Sequence, residues 1–367
     1  MKTDASFEEN DIHNILLWMP SWIGDVILAL PAVEALRKRF PDARITSAGP
    51  KSSLEILVDH PDVDSVIEFP NKRESSLVQR LWFAKNLKKY RFDLGVVFPN
   101  SIGSALMLRL SGAKIRIGHN TERREFLLTH PIAITEDIKR KEYRVDYFLN
   151  ILSPLDVQPP QSSGFKEIKR KSPPAVNDFI HKHGLKKNDF LVAVHPGTSK
   201  TERSWLPERF GILCQKLLRD HRMKFLLLGT PNEVDLLEQI KKFCPPGTVI
   251  PVTNLGLRDV SVLIKKSKLF IGNDSGMMHL AAYVGTPVVG IFGPGNPGTS
   301  GPYMVAEKQE IVTKSYSCSP CRQRFFKECK PSPHNRPYCL EDISVGDVAD
   351  AVQRLLEKTG KKKSVVK

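Results

Sequence analysis

Apolar residues fall along this chain in two alternating rhythms. Strands are predicted over 14–19, 44–48, 63–69 and 94–98; the first and last are nearly unbroken apolar runs, the pattern of short strands buried on both faces of a sheet. Between them the spacing changes. Val26, Leu30, Val33 and Leu36 share one helical face, and the basic turn Arg37-Lys38-Arg39 ahead of Pro41 is a stop signal. Further helices are predicted near 53–59 and over 77–89. The stretch 158–174, with four prolines among serines and lysines, reads as an interdomain linker. The rhythm then restarts, predicting strands 190–194, 224–228, 269–271 and 287–292 and helices 207–219, 233–243, 260–266 and 276–284.

Strands alternating with helices build parallel βαβ units. The expected fold class is therefore α/β, two doubly wound parallel-sheet halves with the active site in the cleft between them, at the carboxyl ends of the strands. The expected divisions are a polar tail 1–11, a first domain 12–157, the linker 158–174, a second domain 175–343, a C-terminal helix 344–358 and a basic tail 359–367. No internal repeat is evident beyond the shared pattern.

Composition fits this picture without changing it: 367 residues suit two domains, and 41% hydrophobic with 26% charged residues is a globular profile. No run of about 18 apolar residues occurs, so no permanent membrane anchor is expected. Residues 1–10 are polar, carry three acidic side chains and lack the features of a signal peptide, which predicts a cytoplasmic protein. The formal charge of +15 suits anionic partners, although a merely basic, solvated surface would give the same number. No nucleic-acid-binding motif stands out and the basic residues are dispersed, so no nucleic-acid partner is expected.

Candidate chemistry sits at strand ends. In the run Phe270 to His279, a buried strand enters a turn containing Asn273, Asp274, Ser275 and Gly276 and then an apolar helix. Asp274 or Ser275 is either a plain helix cap or part of a pyrophosphate seat made by free helix amides. His279 is either packed or functional. A Gly- and Pro-rich turn, Gly293 to Gly298, follows the next strand. His195-Pro196-Gly197-Thr198-Ser199-Lys200 also follows a strand. Its amides at Gly197 and Thr198 can hold phosphate oxygens, with Lys200 or Arg203 as the cation for a departing diphosphate, or it is a solvated loop. Asp25, in Pro20-Ser21-Trp22-Ile23-Gly24-Asp25, is a general base or a helix cap. Glu233 stands where an acid can bind ribose hydroxyls. Pro99-Asn100-Ser101 ends a strand where an acceptor could be met. No GxGxxG opens the first βα turn, which disfavours a dehydrogenase.

These motifs together resemble the bacterial glycosyltransferase family nine, the ADP-heptose:lipopolysaccharide heptosyltransferases, over about 14–356. Within it they are most like the heptosyltransferase II branch. The resemblance rests on 20–25, Pro99-Asn100-Ser101 with Ser104-Ala105-Leu106, Arg123-Arg124 with Leu127-Leu128, His195-Pro196-Gly197, 203–207, and Asn273 to Gly276 with His279. It implies a GT-B fold, inversion at the anomeric carbon and no cofactor or metal in catalysis. It also implies roles. Asp25 is the base; Gly197, Thr198, Ser275 and Gly276 hold the diphosphate; Glu233 binds the ribose; Asp274 and His279 contact or shape the heptose pocket. Ser21, Trp22, Asn100, Ser101, Arg123 and Arg124 belong to the acceptor half. The implied partners are ADP-heptose and a Kdo-containing lipid A precursor at the inner face of the cytoplasmic membrane. One departure stands out. The family lysine two residues before the tryptophan is Arg203 here, and Leu206 is inserted before Pro207; arginine keeps the charge with a different donor geometry, and Lys200 can share the role. A rival reading is a catalytically idle nucleotide- or lipid-headgroup-binding protein.

Cys318, Cys321, Cys329 and Cys339 crowd into one stretch. A CxxC opening in a reducing compartment makes a structural zinc site one reading; four reduced thiols packed without metal is the other.

Overall fold

The computed structural model describes residues 11–69, 75–160, 172–218, 223–318, 321 and 323–360. The chain divides into two compact units, Met1–Ser162 and Ser163–Lys367. The first holds β1 (Asn14–Trp18), β2 (Arg44–Gly49), β3 (Ser65–Glu68), β4 (Leu94–Val97), β5 (Ile115–His119) and β6 (His130–Ile132). These form one sheet in the order β3-β2-β1-β4-β5-β6, every neighbouring pair parallel. The second holds β7 (Phe190–His195), β8 (Met223–Leu228), β9 (Val249–Val252), β10 (Leu269–Asn273), β11 (Val288–Phe292) and β12 (Gln309–Thr313), ordered β12-β11-β10-β7-β8-β9 and again parallel throughout.

Counted from the start of each unit, both sheets have the same order, 3-2-1-4-5-6. The order turns back between β1 and β4 in one unit and between β7 and β10 in the other. Ligands of such sheets sit outside the carboxyl ends of the strands flanking that point. The expected α/β architecture is therefore present twice. Its strands are apolar on both faces because helices cover both: Ile15, Leu16 and Leu17 are fully buried, as are Phe270, Ile271 and Val289. Each such side chain contributes roughly 1.5–3 kcal/mol.

Several elements differ from expectation. The helix expected near 53–59 starts earlier, as Lys51–Leu54 followed by the tight turn Glu55–Leu57, and that at 77–89 is Leu77–Asn86 followed by a 3-10 turn, Leu87–Tyr90. The strands β5, β6, β9 and β12 and the helix Ile102–Leu110 go beyond the expected set. Both β6 and β9 contain a proline, Pro131 and Pro251, which weakens a strand signal. Each is an edge strand, where a missing N–H donor is tolerated.

Of the expected linker, 161–171 lie outside the described residues, as do 1–10 and 361–367 of the tails. Pro174 opens a helix, Pro174–Lys182, a position that suits proline. The C-terminal helix is Val345–Lys358, capped by a reciprocal Ser344–Asp347 box, and its buried face joins the core of the second unit with Val192, Phe225 and Ile271. Among the described residues no helix is long and apolar enough to cross a membrane.

Candidate active site

In the second unit, β7 and β10 run side by side with Gly272 opposite His195, so the loops after them leave the sheet together at the switch point. Asn273, fully buried, ties these loops: its Oδ1 accepts from Trp205 N at 3.1 Å and its Nδ2 donates to Pro196 O at 2.7 Å. Ser204 Oγ donates to the same Pro196 carbonyl. Trp205 anchors the far side. It is fully buried, its Nε1 donates to Ile343 O at 2.8 Å, and its ring meets Phe210 edge-on.

The helix Gly276–Tyr283 begins at this point. Ser275 occupies its N-cap position in extended conformation, yet no side chain caps the helix. The Ser275 hydroxyl lies 3.2 Å from His195 Nδ1 instead, and the Asp274 carboxylate pairs with Arg203 Nη2. Both candidate caps are thus turned away, leaving the first-turn amides and the positive end of the helix dipole to an outside anion.

Beneath lie His279 and Arg203. Arg203 Nη2 also donates to Asp274 O at 3.0 Å. Arg203 Nε and His279 Nδ1 are buried without a hydrogen-bond partner among the described residues, two polar atoms that a bound polar group would satisfy. Burial, and then the Arg203 charge, pushes His279 down to about 4. Burial pushes His195 to about 4 as well, with Glu233 opposing. Both rings are neutral at pH 7. Burial raises Asp274 although Arg203 pulls it back.

Gly197, Glu233 and His195 are contiguous. A Cβ on Gly197 would collide with Glu233 Oε1 and stand 3.3 Å from His195 Nε2, so any larger residue there would displace the Glu233 carboxylate. Glu233 Oε2 accepts from Thr230 N and Oγ1 at 2.8 and 2.9 Å, which orients its second oxygen toward Gly197. A Cβ on Gly295 would likewise strike Asp274, so the Gly293 to Gly298 turn packs on the same cluster. Thr198 Oγ1 donates to Lys200 O at 2.6 Å, and exposed Lys200 lies over the Phe325 ring at 5.5 Å. Several of the second-half residues singled out in the sequence are thus brought into contact, with Arg203 tied to Asp274 and Lys200 exposed. Asn273 and His195 stand out in the sequence only as parts of motifs. A fully buried asparagine at a strand end is a signal visible only with the fold in hand.

In the first unit, Asp25 is half-buried in the first turn of the helix Ile23–Arg39, and Trp22 holds the N-cap position without a side-chain cap bond. Asp25 is therefore not the N-cap residue. Ser21 and Trp22 are exposed. After β4, Ser101 caps the helix Ile102–Leu110 by accepting from Ser104 N at 3.2 Å, and Asn100 Oδ1 accepts from Tyr147 Oη at 2.9 Å.

Arg124 corrects an expectation. Assigned to the acceptor side, it is fully buried and donates to the carbonyls of Pro99, Ser101 and His119. Burial lowers it to about 10, still charged at neutral pH. It holds the loop's carbonyls from within and has no exposed surface. Its neighbour Arg123 is exposed, and Glu122 and Arg123 both hold left-handed backbone, φ +53 and +56. Such residues cost about 1–3 kcal/mol each. Glu122 Oε2, accepting from Ile102 N at 3.0 Å, helps hold them.

Cys318, Cys321, Cys329 and Cys339, read in the sequence either as a structural zinc site or as four packed thiols, differ in their surroundings. Cys318 is exposed while Cys339 is buried, and among the described residues no group of three or more His, Cys, Asp or Glu side chains is placed to hold a metal. The thiols do influence one another. Burial first, then the other three cysteines, push Cys339 up to about 12.

Residues 80–330 match the sequence model of glycosyltransferase family 9 (heptosyltransferase). The lipooligosaccharide heptosyltransferase 2 of Campylobacter jejuni is 25% identical over 351 residues, covering 94% of this chain and 99% of that protein. A solved family 9 glycosyltransferase from Veillonella parvula aligns with a TM-score of 0.82 at 24% identity, covering 95% of this chain and 98% of the other. The solved E. coli ADP-heptose LPS heptosyltransferase II gives a TM-score of 0.77 at 21% identity, covering 95% and 99%. These likenesses establish the GT-B fold expected from the sequence.

Proposed function

Because the chain belongs to glycosyltransferase family 9, the heptosyltransferases, we propose that it moves a heptose from ADP-heptose onto the inner core of a lipopolysaccharide precursor. The chain is a glycosyltransferase of lipopolysaccharide core biosynthesis; its donor, its acceptor and its mechanism are what we propose. Relatives support the donor: one is named for ADP-heptose in its solved form. The observation that carries the donor site is the uncapped helix start at Ser275-Gly276, with both potential caps turned onto His195 and Arg203.

In this reading the diphosphate sits on the amides of Ser275 and Gly276 and of the Gly197-Thr198 loop, Lys200 adds charge, and Glu233 meets the ribose. Asp274 and His279 face the heptose. The acceptor hydroxyl attacks the anomeric carbon from the side opposite the diphosphate. A C–O bond forms as the bond to the phosphate oxygen breaks, ADP leaves with the electron pair, and Asp25 takes the hydroxyl proton, so configuration inverts. Amides already aimed at the phosphate stabilise the charge that grows there, and no metal takes part. The acceptor is a heptosyl-Kdo-lipid A precursor, reached at the inner face of the cytoplasmic membrane by a protein without an anchor.

The test is a transfer assay with ADP-heptose and truncated lipid A acceptors, with the product's anomeric configuration read by NMR. Wild type is expected to transfer with inversion. Asp25→Asn is expected to lose about 10²–10⁴ in kcat, the usual contribution of a general base, while binding ADP as before. Undiminished transfer by the variant would remove Asp25 from the mechanism. Nucleotide binding with no transfer to any acceptor would identify an idle binding protein.

A further inference from the structure

The helix Leu77–Asn86 and the turn Leu87–Tyr90 carry a surface that the transfer chemistry does not use. An ordinary surface helix buries its apolar stripe and exposes polar residues. Here Ala84 and Leu87 face inward, but Leu77, Val78 and Trp82 are 56%, 73% and 68% exposed. Val78, Trp82 and Lys85 succeed one another at spacings of four and three, which puts them on one outward face. Lys85, Lys88, Lys89 and Tyr90 continue it, all exposed, with Lys89 over the Tyr90 ring at 5.1 Å. From Leu77 to Arg91 the chain has five basic residues and no acidic one.

We infer that this face docks the protein on an anionic phospholipid surface. An aliphatic pair and a tryptophan enter the headgroup boundary, and the lysines meet lipid phosphates. Aromatic and aliphatic side chains beside lysines, with no acid among them, are the chemistry of an interfacial helix. A nucleic-acid groove would use the rings of Trp82 and Tyr90 for stacking but gain nothing from the bare aliphatic pair Leu77 and Val78, which a lipid surface would bury. A protein partner of opposite charge would not need both aliphatic residues left bare to water. The inference goes beyond the transfer reaction and stands on this helix face. It is read without any sugar donor, so its failure leaves the catalytic reading untouched.

The experiment is co-sedimentation of the full chain with vesicles of phosphatidylcholine, either alone or with about 30 mol% phosphatidylglycerol to supply surface charge. Wild type is expected to bind only the anionic vesicles, with partitioning weakened by salt. Val78→Ser with Trp82→Ser, and separately Lys85→Glu with Lys89→Glu, are each expected to weaken partitioning about tenfold or more. All four positions are exposed, so melting temperature should not change, and transfer to a short water-soluble acceptor should stay at the wild-type rate. Unchanged vesicle binding by both double variants, or no binding by wild type, would overturn the inference. So would a wild-type dimer, or binding to single-stranded DNA, that either double variant abolishes.

Discussion

Among single residues, the buried titratable groups have the clearest consequences. His119, His195 and His279 are each held at about 4 against an ordinary 6.5, burial being the first cause in each. As pH falls through 6.5 the unfolded chain takes up three protons that the folded chain refuses until about 4. Their stabilisation is therefore complete above pH 6.5 and is lost between 6.5 and about 4, at up to ~1.4 kcal/mol per pH unit for each histidine. Urea midpoints should fall across that window, and His279→Gln should make the fall shallower. A midpoint constant from pH 7 to 4.5 would contradict these assignments. Arg203 and Asp274 are each visible in the sequence, but not their pairing, because 71 residues separate them. Arg124 misleads for the same reason. Next to Arg123 it looks like a second surface cation, and only the long-range carbonyls of Pro99 and Ser101 explain its burial.

At the scale of elements, two of the helix starts with a serine at the N-cap position use it in opposite ways. Ser344 accepts from Asp347 N at 3.1 Å in a full capping box, whereas Ser275 gives its helix no side-chain bond. Ser344→Ala should cost about 1 kcal/mol, the usual value of such a cap. Ser275→Ala should change unfolding free energy by less than about 0.5 kcal/mol, a surface-like effect, while weakening ADP binding. Denaturation and ADP titration of the two variants separate these outcomes; a Ser275→Ala loss equal to that of Ser344→Ala would restore the plain cap. Apolar runs disclose the central strands because those strands are buried on both faces. They fail at β6 and β9, where proline sits in an edge strand, and at β12, which is only partly buried. Low burial hides β6 and β12, whereas β9 is largely buried and Pro251 breaks its signal.

At the scale of the molecule, the same strand order appears in both units. Most of the candidate site residues follow the strands flanking each reversal, while Arg123 and Glu233 follow the next strands out, β5 and β8. That placement follows from the parallel βαβ winding, which is legible from the alternation of apolar rhythms. The identity of the sugar is not, and rests on family membership. The mechanism depends most on the claim that the start of the helix Gly276–Tyr283 seats the donor's diphosphate. Gly276→Pro tests it directly. Proline suits the first position of a helix and lacks only the N–H, and the extended Ser275 before it is compatible with a following proline. The measurement is calorimetric titration with ADP, using Gly276→Ala as the control for bulk. A diphosphate seat at this helix start predicts that the proline variant melts no lower than wild type yet binds ADP about 10–100-fold more weakly, the worth of one hydrogen bond to a charged group, with the alanine variant close to wild type. ADP affinity unchanged in Gly276→Pro would contradict it.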